Sequence, residues 1–248
     1  LEWAKVASCK PFATFHDLQD GRCVKHDVDY LLEEAQNFLY IRQNTSIPVP
    51  QVLMAFEQDG VGYLVMECVG GKQLAQTASE LTPEQLQSIA VQLADIVQQI
   101  RRLPLPIQVL GDRKGHPYRN DFFTPQYWEE SADVIPAEAF QSIEEFHNYW
   151  LSRSGLDEPL PDIQLYSIVP AHGDLSSRNI LVRGGTITAI VDWDTFGLYP
   201  DYWEAALMNR GTYHVGWRTA LRNVTGVPSP VALLYNKIFD KILEGEPR

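Results

Sequence analysis

Positive charge is in short supply in this chain: 20 lysines and arginines face 32 aspartates and glutamates, for a formal charge of −12 over 248 residues. Nucleic-acid backbones and anionic membranes need clustered positive charge, so neither is an expected partner. Cysteine is scarce as well. Cys9, Cys23 and Cys68 are odd in number and lack metal-ligand spacing, so neither a disulfide framework nor a zinc site is expected, and a reducing compartment suits the chain. No apolar run is long enough for a membrane span, and Leu1-Glu2-Trp3-Ala4-Lys5 has no charged n-region leading into an apolar h-region. A cytoplasmic protein is the expectation. Two glycosylation-type triplets, at Asn44 and Asn223, are of the kind that arises by chance. Internal repeats and low-complexity tracts are also missing.

What remains is an ordinary core-forming composition, 45 % hydrophobic and 21 % charged. The first 70 residues read as strands around one helix. Asp20-Gly21 is a hairpin turn leading into the alternating strand Arg22 to Lys25, and Asp59-Gly60 joins Val52–Phe56 to Gly62–Met66. Between the hairpins, Val28 to Gln43 has a helical apolar face that ends at Ile47-Pro48-Val49-Pro50. Beyond Gly70-Gly71 long helices take over. Thr82-Pro83-Glu84-Gln85 is an N-cap with Pro at N1 and a capping-box Gln, after which Leu86, Ile89, Ala90, Leu93, Ile96, Val97, Ile100 and Leu103 trace one face. Ser142 with Glu145 marks a second capping box. Pro104 to Gln141 has no clean period and reads as irregular, and helices near 202–208, 214–223 and 230–244 close the chain. This is an α+β plan with two lobes: a small β-rich lobe over residues 1–69 and a larger helical lobe over 70–248 carrying one polar hairpin. A cleft between lobes is a usual place for a ligand.

The polar hairpin holds the chemistry. Ala171-His172-Gly173-Asp174-Leu175-Ser176-Ser177-Arg178-Asn179 leads into a strand, a Gly184-Gly185 turn, and a return strand ending Ile190-Val191-Asp192-Trp193-Asp194. Phosphoryl transfer requires a carboxylate to orient or deprotonate the acceptor, and oxygen ligands to hold magnesium against the phosphates. Asp174, Asn179 and Asp192 can supply those groups, and a two-residue turn returns Asp192 beside Asn179. Average composition gives His-x-Asp-x-x-x-x-Asn a chance occurrence on the order of 1 % in a chain of this length. The plain alternative is that His172 and Asp174 cap a loop and Asn179 stabilises a turn. Lys25, at the end of its strand, and Glu34, on the following helix, add a lysine for nucleotide phosphates and its ion-pair partner.

With Val24-Lys25-His26, Glu34-Ala35, Thr45 to Pro50, Tyr63 to Glu67, His172 to Asn179, Ile190 to Asp194 and Tyr199 to Glu204 in order, the sequence resembles the aminoglycoside phosphotransferase and choline kinase family, and in particular its fungal branch. The resemblance spans nearly the whole chain and implies a two-lobed protein-kinase-like fold using ATP and Mg2+. It implies that Lys25 holds the nucleotide phosphates with Glu34 as partner, and that Met66 is the gatekeeper. The Glu67 carbonyl and Val69 amide would bind adenine, with Leu181 beneath the ring and Ile190 or Val191 behind it. Asp174 would be the base, and Asn179 and Asp192 the magnesium ligands. Asp194 would assist with metal or substrate, while Glu204 and His172 would brace the catalytic loop.

Two departures stand out. No glycine precedes Gly21, so the phosphate-covering loop would fall near Ser8 to Thr14 without a Gly-x-Gly-x-x-Gly pattern, and the catalytic loop reads His-Gly-Asp where protein kinases have His-Arg-Asp. No Ala-Pro-Glu segment follows Asp192, which speaks against a protein substrate. The acceptor expected is a small hydroxylated molecule, cationic or aromatic, met by the aromatic and acidic stretch Asp121 to Glu145. Two rival readings exist. Asp192-Trp193-Asp194-Thr195-Phe196 resembles the aspartyl-nucleophile phosphatases, but that reading leaves His172 to Asn179 unexplained. A degenerate kinase-fold protein that binds nucleotide or a partner is the stronger rival.

Overall fold

The computed structural model describes residues 14–27, 31–118, 136–160, 162–209, 214–225 and 229–245. The Ser8 and Lys10 part of the expected phosphate loop, and 121–135 of the expected acceptor segment, lie outside the described residues.

An antiparallel four-stranded sheet in the order β1-β2-β4-β3 forms the small lobe, from β1 (Thr14–Asp17), β2 (Arg22–Asp27), β3 (Val52–Gln58) and β4 (Val61–Glu67). Helix α1 (Leu31–Asn44) packs against it. The buried residues of α1, Leu31, Glu34, Ala35, Asn37, Phe38 and Ile41, recur at helical spacing, so a carboxylate sits in a largely apolar stripe. Such a group must find a cation. Pro48, in the Pro-rich run that ends the helix, accepts a hydrogen bond from the Ile190 amide at 2.8 Å, tying this lobe to the distal hairpin.

Past Gly70-Gly71 come β5 (Lys72–Gln73), the short α2 (Leu74–Thr77) and α3 (Pro83–Arg101). Both legs of the capping box form at α3: Thr82 Oγ1 accepts from the Gln85 amide, and Gln85 Oε1 accepts from the Thr82 amide. The eight apolar residues from Leu86 to Leu103 are all buried, as their period predicts. At α4 (Ile143–Ser154) only half of the expected box is made. Ser142 Oγ accepts from the Glu145 amide, but the Glu145 carboxylate reaches back to the Gln141 amide.

Strands β8 (Ile180–Arg183) and β9 (Thr186–Ile190) form the expected hairpin, with β5 on the outer edge of β8. A third sheet was not expected. It joins β6 (Gly111–Asp112), β7 (Ile168–Ala171) and β10 (Gly197–Pro200) in the order β6-β10-β7, and brackets the His172 to Phe196 segment. Helices α5 (Trp203–Asn209), α6 (Val215–Thr225) and α7 (Pro230–Gly245) complete the chain. A core of large aromatics, including Phe146, Trp150, Tyr199, Trp203, Tyr235 and Phe239, packs beneath the β7–β10 sheet. Among the described residues no helix is long and apolar enough to cross a membrane.

One expectation from composition fails. Cys23 on β2 and Cys68, just past β4, are joined as a disulfide, with a Cα–Cα distance of 5.0 Å across a sequence separation of 45. Counting cysteines hid it because the pairing is set by the β2–β4 register, which places Cys23 opposite Met66, two residues from Cys68.

The aromatic core makes a stability prediction. Trp203 is fully buried and its Nε1 donates to the Gly173 carbonyl at 3.0 Å. Trp203→Ala should therefore cost about 3–5 kcal/mol in urea unfolding, from the cavity left behind, whereas an exposed-site control such as Leu165→Ala should change stability by less than about 0.5 kcal/mol.

Candidate active site

The site gathers on three supports: strand β2, helix α1 and the β8–β9 hairpin with its flanking loops. Lys25 is the meeting point. Its Nζ lies 2.8 Å from Glu34 Oε2 and 2.5 Å from Asp192 Oδ1. Glu34 is almost wholly buried at 1 % side-chain exposure, Lys25 retains 15 % and Asp192 is open at 41 %. Burial works against the Lys25 ammonium, but Glu34 and Asp192 outweigh it and hold the lysine protonated, well above its ordinary range. For Glu34 burial wins and pushes the carboxyl up despite Lys25. At Asp192 burial loses, and the ammonium holds the carboxyl below its usual value. Asp194 is raised well above the ordinary range, first by burial and then by the neighbouring Asp192 charge.

Asp192 occupies an unusual backbone position, with φ of 68° and ψ of 58°. A left-handed conformation at a non-glycine residue is uncommon, though Asp tolerates it better than most. It lies two residues past β9 and opens the 3-10 turn Trp193–Thr195, on which α1 packs. Asn37 of α1 pins that turn by donating from Nδ2 to the Trp193 carbonyl at 2.8 Å, and its Oδ1 accepts from Arg113 Nε at 2.9 Å.

Asp174 and Asn179 lie on the loop between β7 and β8. Asn179 Nδ2 donates to the Asp174 carbonyl at 2.8 Å and to Asp174 Oδ2 at 3.0 Å, which fixes the amide so that Oδ1 is its other polar atom. The Val191 amide donates to the Asn179 carbonyl at 3.0 Å, so Asn179 and the start of the Asp192 turn are side by side, as the hairpin argument expected. Burial raises the Asp174 carboxyl to about 6, against the pull of Arg178, whose guanidinium lies 3.5 Å away and is 67 % exposed.

His172 and Glu204 shape the loop. His172 Nδ1 accepts from the Asp174 amide at 3.2 Å, which makes Nε2 the protonated nitrogen, and Nε2 donates to the Val191 carbonyl at 3.1 Å. Burial lowers the imidazole to about 4, so it stays neutral near pH 7. Glu204 Oε2 and Oε1 accept from the His172 and Gly173 amides, both at 3.1 Å, while burial pushes its carboxyl up to about 7. The sequence reading did not single out Thr195, which donates to the His172 carbonyl at 2.6 Å, or Tyr199, which donates to the Thr195 carbonyl at 2.8 Å. Both lay inside recognised motifs, but nothing in their spacing marks a side chain that bonds to backbone.

Gly173 explains the His-Gly-Asp departure. Its φ is +92°, and an added Cβ would stand 2.5 Å from the Thr195 carbonyl oxygen and 2.7 Å from the Tyr199 hydroxyl. No side chain fits there, so an arginine at this position is sterically excluded.

Met66 and Ile190 are buried, and Leu181 and Val69 partly so. Leu181 pairs with Ala189 and with Gln73, placing it on the strand that follows Asn179. Glu67 and Val69 flank Cys68, whose amide donates to the Gly21 carbonyl at 2.9 Å, so this stretch runs along β2 toward Gly70.

A sequence profile described as the phosphotransferase enzyme family matches residues 19–224. The chain belongs to that family. Among solved structures it is similar to aminoglycoside-3'-phosphotransferase of type VIII, with 18 % identity, 97 % of each chain covered and a TM-score of 0.57. It is similar also to aminoglycoside phosphotransferase APH(3'')-Id from Streptomyces rimosus, with 17 % identity over 93 % of this chain and 89 % of that one, at a TM-score of 0.59. A thermostable mutant of aminoglycoside phosphotransferase APH(4)-Ia, solved as a ternary complex with ADP and hygromycin B, matches at 17 % identity over 98 % and 93 % of the two chains, with a TM-score of 0.54. No curated protein matches the chain. At such identities the likeness establishes the two-lobed, protein-kinase-like α+β fold.

Two substitutions probe the loop. Gly173→Ala should destabilise the protein by about 2 kcal/mol or more, from a left-handed backbone made costly and a contact that must open. Glu204→Ala should cost about 2–4 kcal/mol, because two buried amides lose their acceptors. Chemical denaturation of each variant against the parent chain measures both.

Proposed function

We propose that this phosphotransferase is an ATP-dependent small-molecule kinase that moves the γ-phosphoryl group of Mg-ATP to a hydroxyl of a small acceptor. The observation that carries the reading is the convergence of Lys25, Glu34, Asp192, Asn179 and Asp174, drawn from two lobes, at one place. In this reading residues 1–69 bind nucleotide and residues 70–248 carry the catalytic loop and receive the acceptor.

Lys25 contacts the nucleotide phosphates and Glu34 holds its ammonium in place. Met66 closes the back of the adenine slot, the Glu67 carbonyl and Val69 amide read the adenine edge, and Leu181 and Ile190 supply apolar surface below and behind it. The metal donors available are the Asn179 Oδ1 and the partly exposed Asp192 carboxylate, hard oxygen ligands of the type Mg2+ takes. Asp194 stands near enough to Asp192 to feel its charge and is a second candidate ligand. Magnesium would supply neutralisation of charge on the phosphates. Asp174 accepts the proton of the acceptor hydroxyl and orients its oxygen toward the γ-phosphorus. The neutral His172 and Glu204 hold the loop that aims Asp174 and touch no substrate.

The acceptor class draws support from the aminoglycoside-binding relatives: APH(3'')-Id was solved with ADP and streptomycin, and APH(4)-Ia with hygromycin B. A small hydroxylated acceptor, amine-bearing or aromatic, is proposed on that basis and on the acidic balance of the chain.

ADP release measured over a panel of aminoglycosides, choline-like amines, sugars and aromatic alcohols tests the reading. Asp174→Asn should lower product formation by about 100-fold or more while leaving nucleotide affinity within about threefold; unchanged turnover would remove the base assignment. The pH profile follows from the raised carboxyl. Asp174 must be ionised to act, and burial brings its pKa to about 6, so kcat/KM should fall as pH drops through about 6 and level off above it. Arg178→Ala removes a charge that favours the ionised form and should move that limb to higher pH. A limb that stays put in this variant would contradict the contact.

A further inference from the structure

The Cys23–Cys68 cystine is anchored on β2, the strand that carries Lys25. Side chains alternate along β2, so Cys23 projects from the same face as Lys25, two residues on, and both lie opposite β4 residues of the same face, Met66 and Leu64. Cys68 is the residue between Glu67 and Val69. The S–S bond therefore fastens the strand carrying the phosphate-binding lysine to the stretch assigned to adenine. It closes a loop that contains α1, Glu34 and the β3–β4 hairpin.

The two sulfurs differ in access. Cys23 is buried at 1 % exposure, while Cys68 is partly exposed and packs at the margin of the core. Thiol–disulfide exchange needs in-line approach to one sulfur and a leaving group on the other, and this asymmetry selects Cys68 as the point of attack. We propose that Cys23 and Cys68 form a thiol–disulfide exchange site, acted on by low-molecular-weight thiols and disulfides, whose oxidised state holds the nucleotide slot in its binding geometry. The control of nucleotide binding rests on the function proposed above; the exchange chemistry does not.

A thiolate RS⁻ attacks Cys68 Sγ, the electron pair of the S–S bond passes to Cys23 Sγ, and that thiolate takes a proton. The mixed disulfide Cys68–S–S–R is then attacked by a second RS⁻, giving RSSR and the Cys68 thiol. In sum, protein disulfide and two RSH yield two protein thiols and RSSR, the reagent thiol being oxidised. With RSSR as the oxidant the sequence runs in reverse. Reduction removes the covalent tie and leaves this stretch held to the β2 edge by the Cys68 amide to Gly21 carbonyl bond and the strand ladder, so that binding nucleotide must restrain a looser stretch, and affinity falls.

The test uses the full chain with Cys9→Ser, which leaves only the two cysteines of interest, equilibrated in oxidised glutathione or in dithiothreitol. Peptide mapping after alkylation reads the bond, thermal unfolding reads its effect on the fold, and calorimetry reads the Kd of Mg-ATP. The expected result is a Cys23–Cys68 peptide in glutathione disulfide only, a melting temperature about 5 °C or more higher in that state, and Mg-ATP affinity about tenfold or more weaker after reduction. Cys68→Ser should bind like the reduced chain in both buffers. Failure of the cross-linked peptide to form overturns the proposal, and Mg-ATP binding that persists in that case leaves the kinase reading standing. A bond that forms with equal affinity in both states overturns the control. A bond that forms while neither state binds Mg-ATP overturns the control through failure of the nucleotide reading.

Discussion

The ammonium group of Lys25 ties the small lobe to the distal hairpin at the candidate site. It is offered by β2, countered by Glu34 from α1 and by Asp192 from just past β9. Neither Lys25, at 15 % side-chain exposure, nor Glu34, at 1 %, would be tolerated alone at this depth. Glu34 stands in the largely apolar stripe of its helix, where an unpaired carboxylate would cost several kcal/mol, on the order of 3–5. The arrangement thus makes the position of α1 depend on the lysine, and the lysine on the hairpin. Asp192 differs from Glu34 in keeping a large solvent-exposed fraction.

Around this centre most polar groups serve to hold backbone rather than to meet ligand. Glu204, Thr195, Tyr199 and Trp203 all bond to the main chain of the His172–Thr195 region. The loop is aimed from below by the aromatic core, and Asp174 is set both by these supports and by its own bonds to His172 and Asn179. Rigid support of that kind is what phosphoryl transfer asks of a protein, since positioning and fixed charge supply most of the catalysis.

Much of this was legible in the sequence, for a physical reason: the chemistry is local. Asp174, Asn179 and Asp192 fall within one loop and one hairpin, and a two-residue turn fixes their proximity without any knowledge of the rest. The apolar face of α3 and its capping box were equally plain. What could not be read was long-range or aperiodic. Strand β10 is buried along its whole length, so it shows no alternation, and both β7 and β10 contain proline, at Pro170 and Pro200, which argues against a strand. Cys23 and Cys68 meet only because β2 and β4 are neighbours in a particular register. The acceptor side stayed dark in both views, since most of the expected segment falls outside the described residues.

The most direct test of the central claim is calorimetric titration with ATP, with and without magnesium, of the parent chain and of Asp192→Ala. If Lys25, Asp192 and Asn179 form one phosphate and metal centre, the parent binds ATP in a magnesium-dependent manner and the variant loses that dependence along with at least about tenfold in affinity. Equal affinity in all four titrations would contradict the account, because ATP would then be binding without regard to magnesium or to the Asp192 carboxylate that pairs with Lys25.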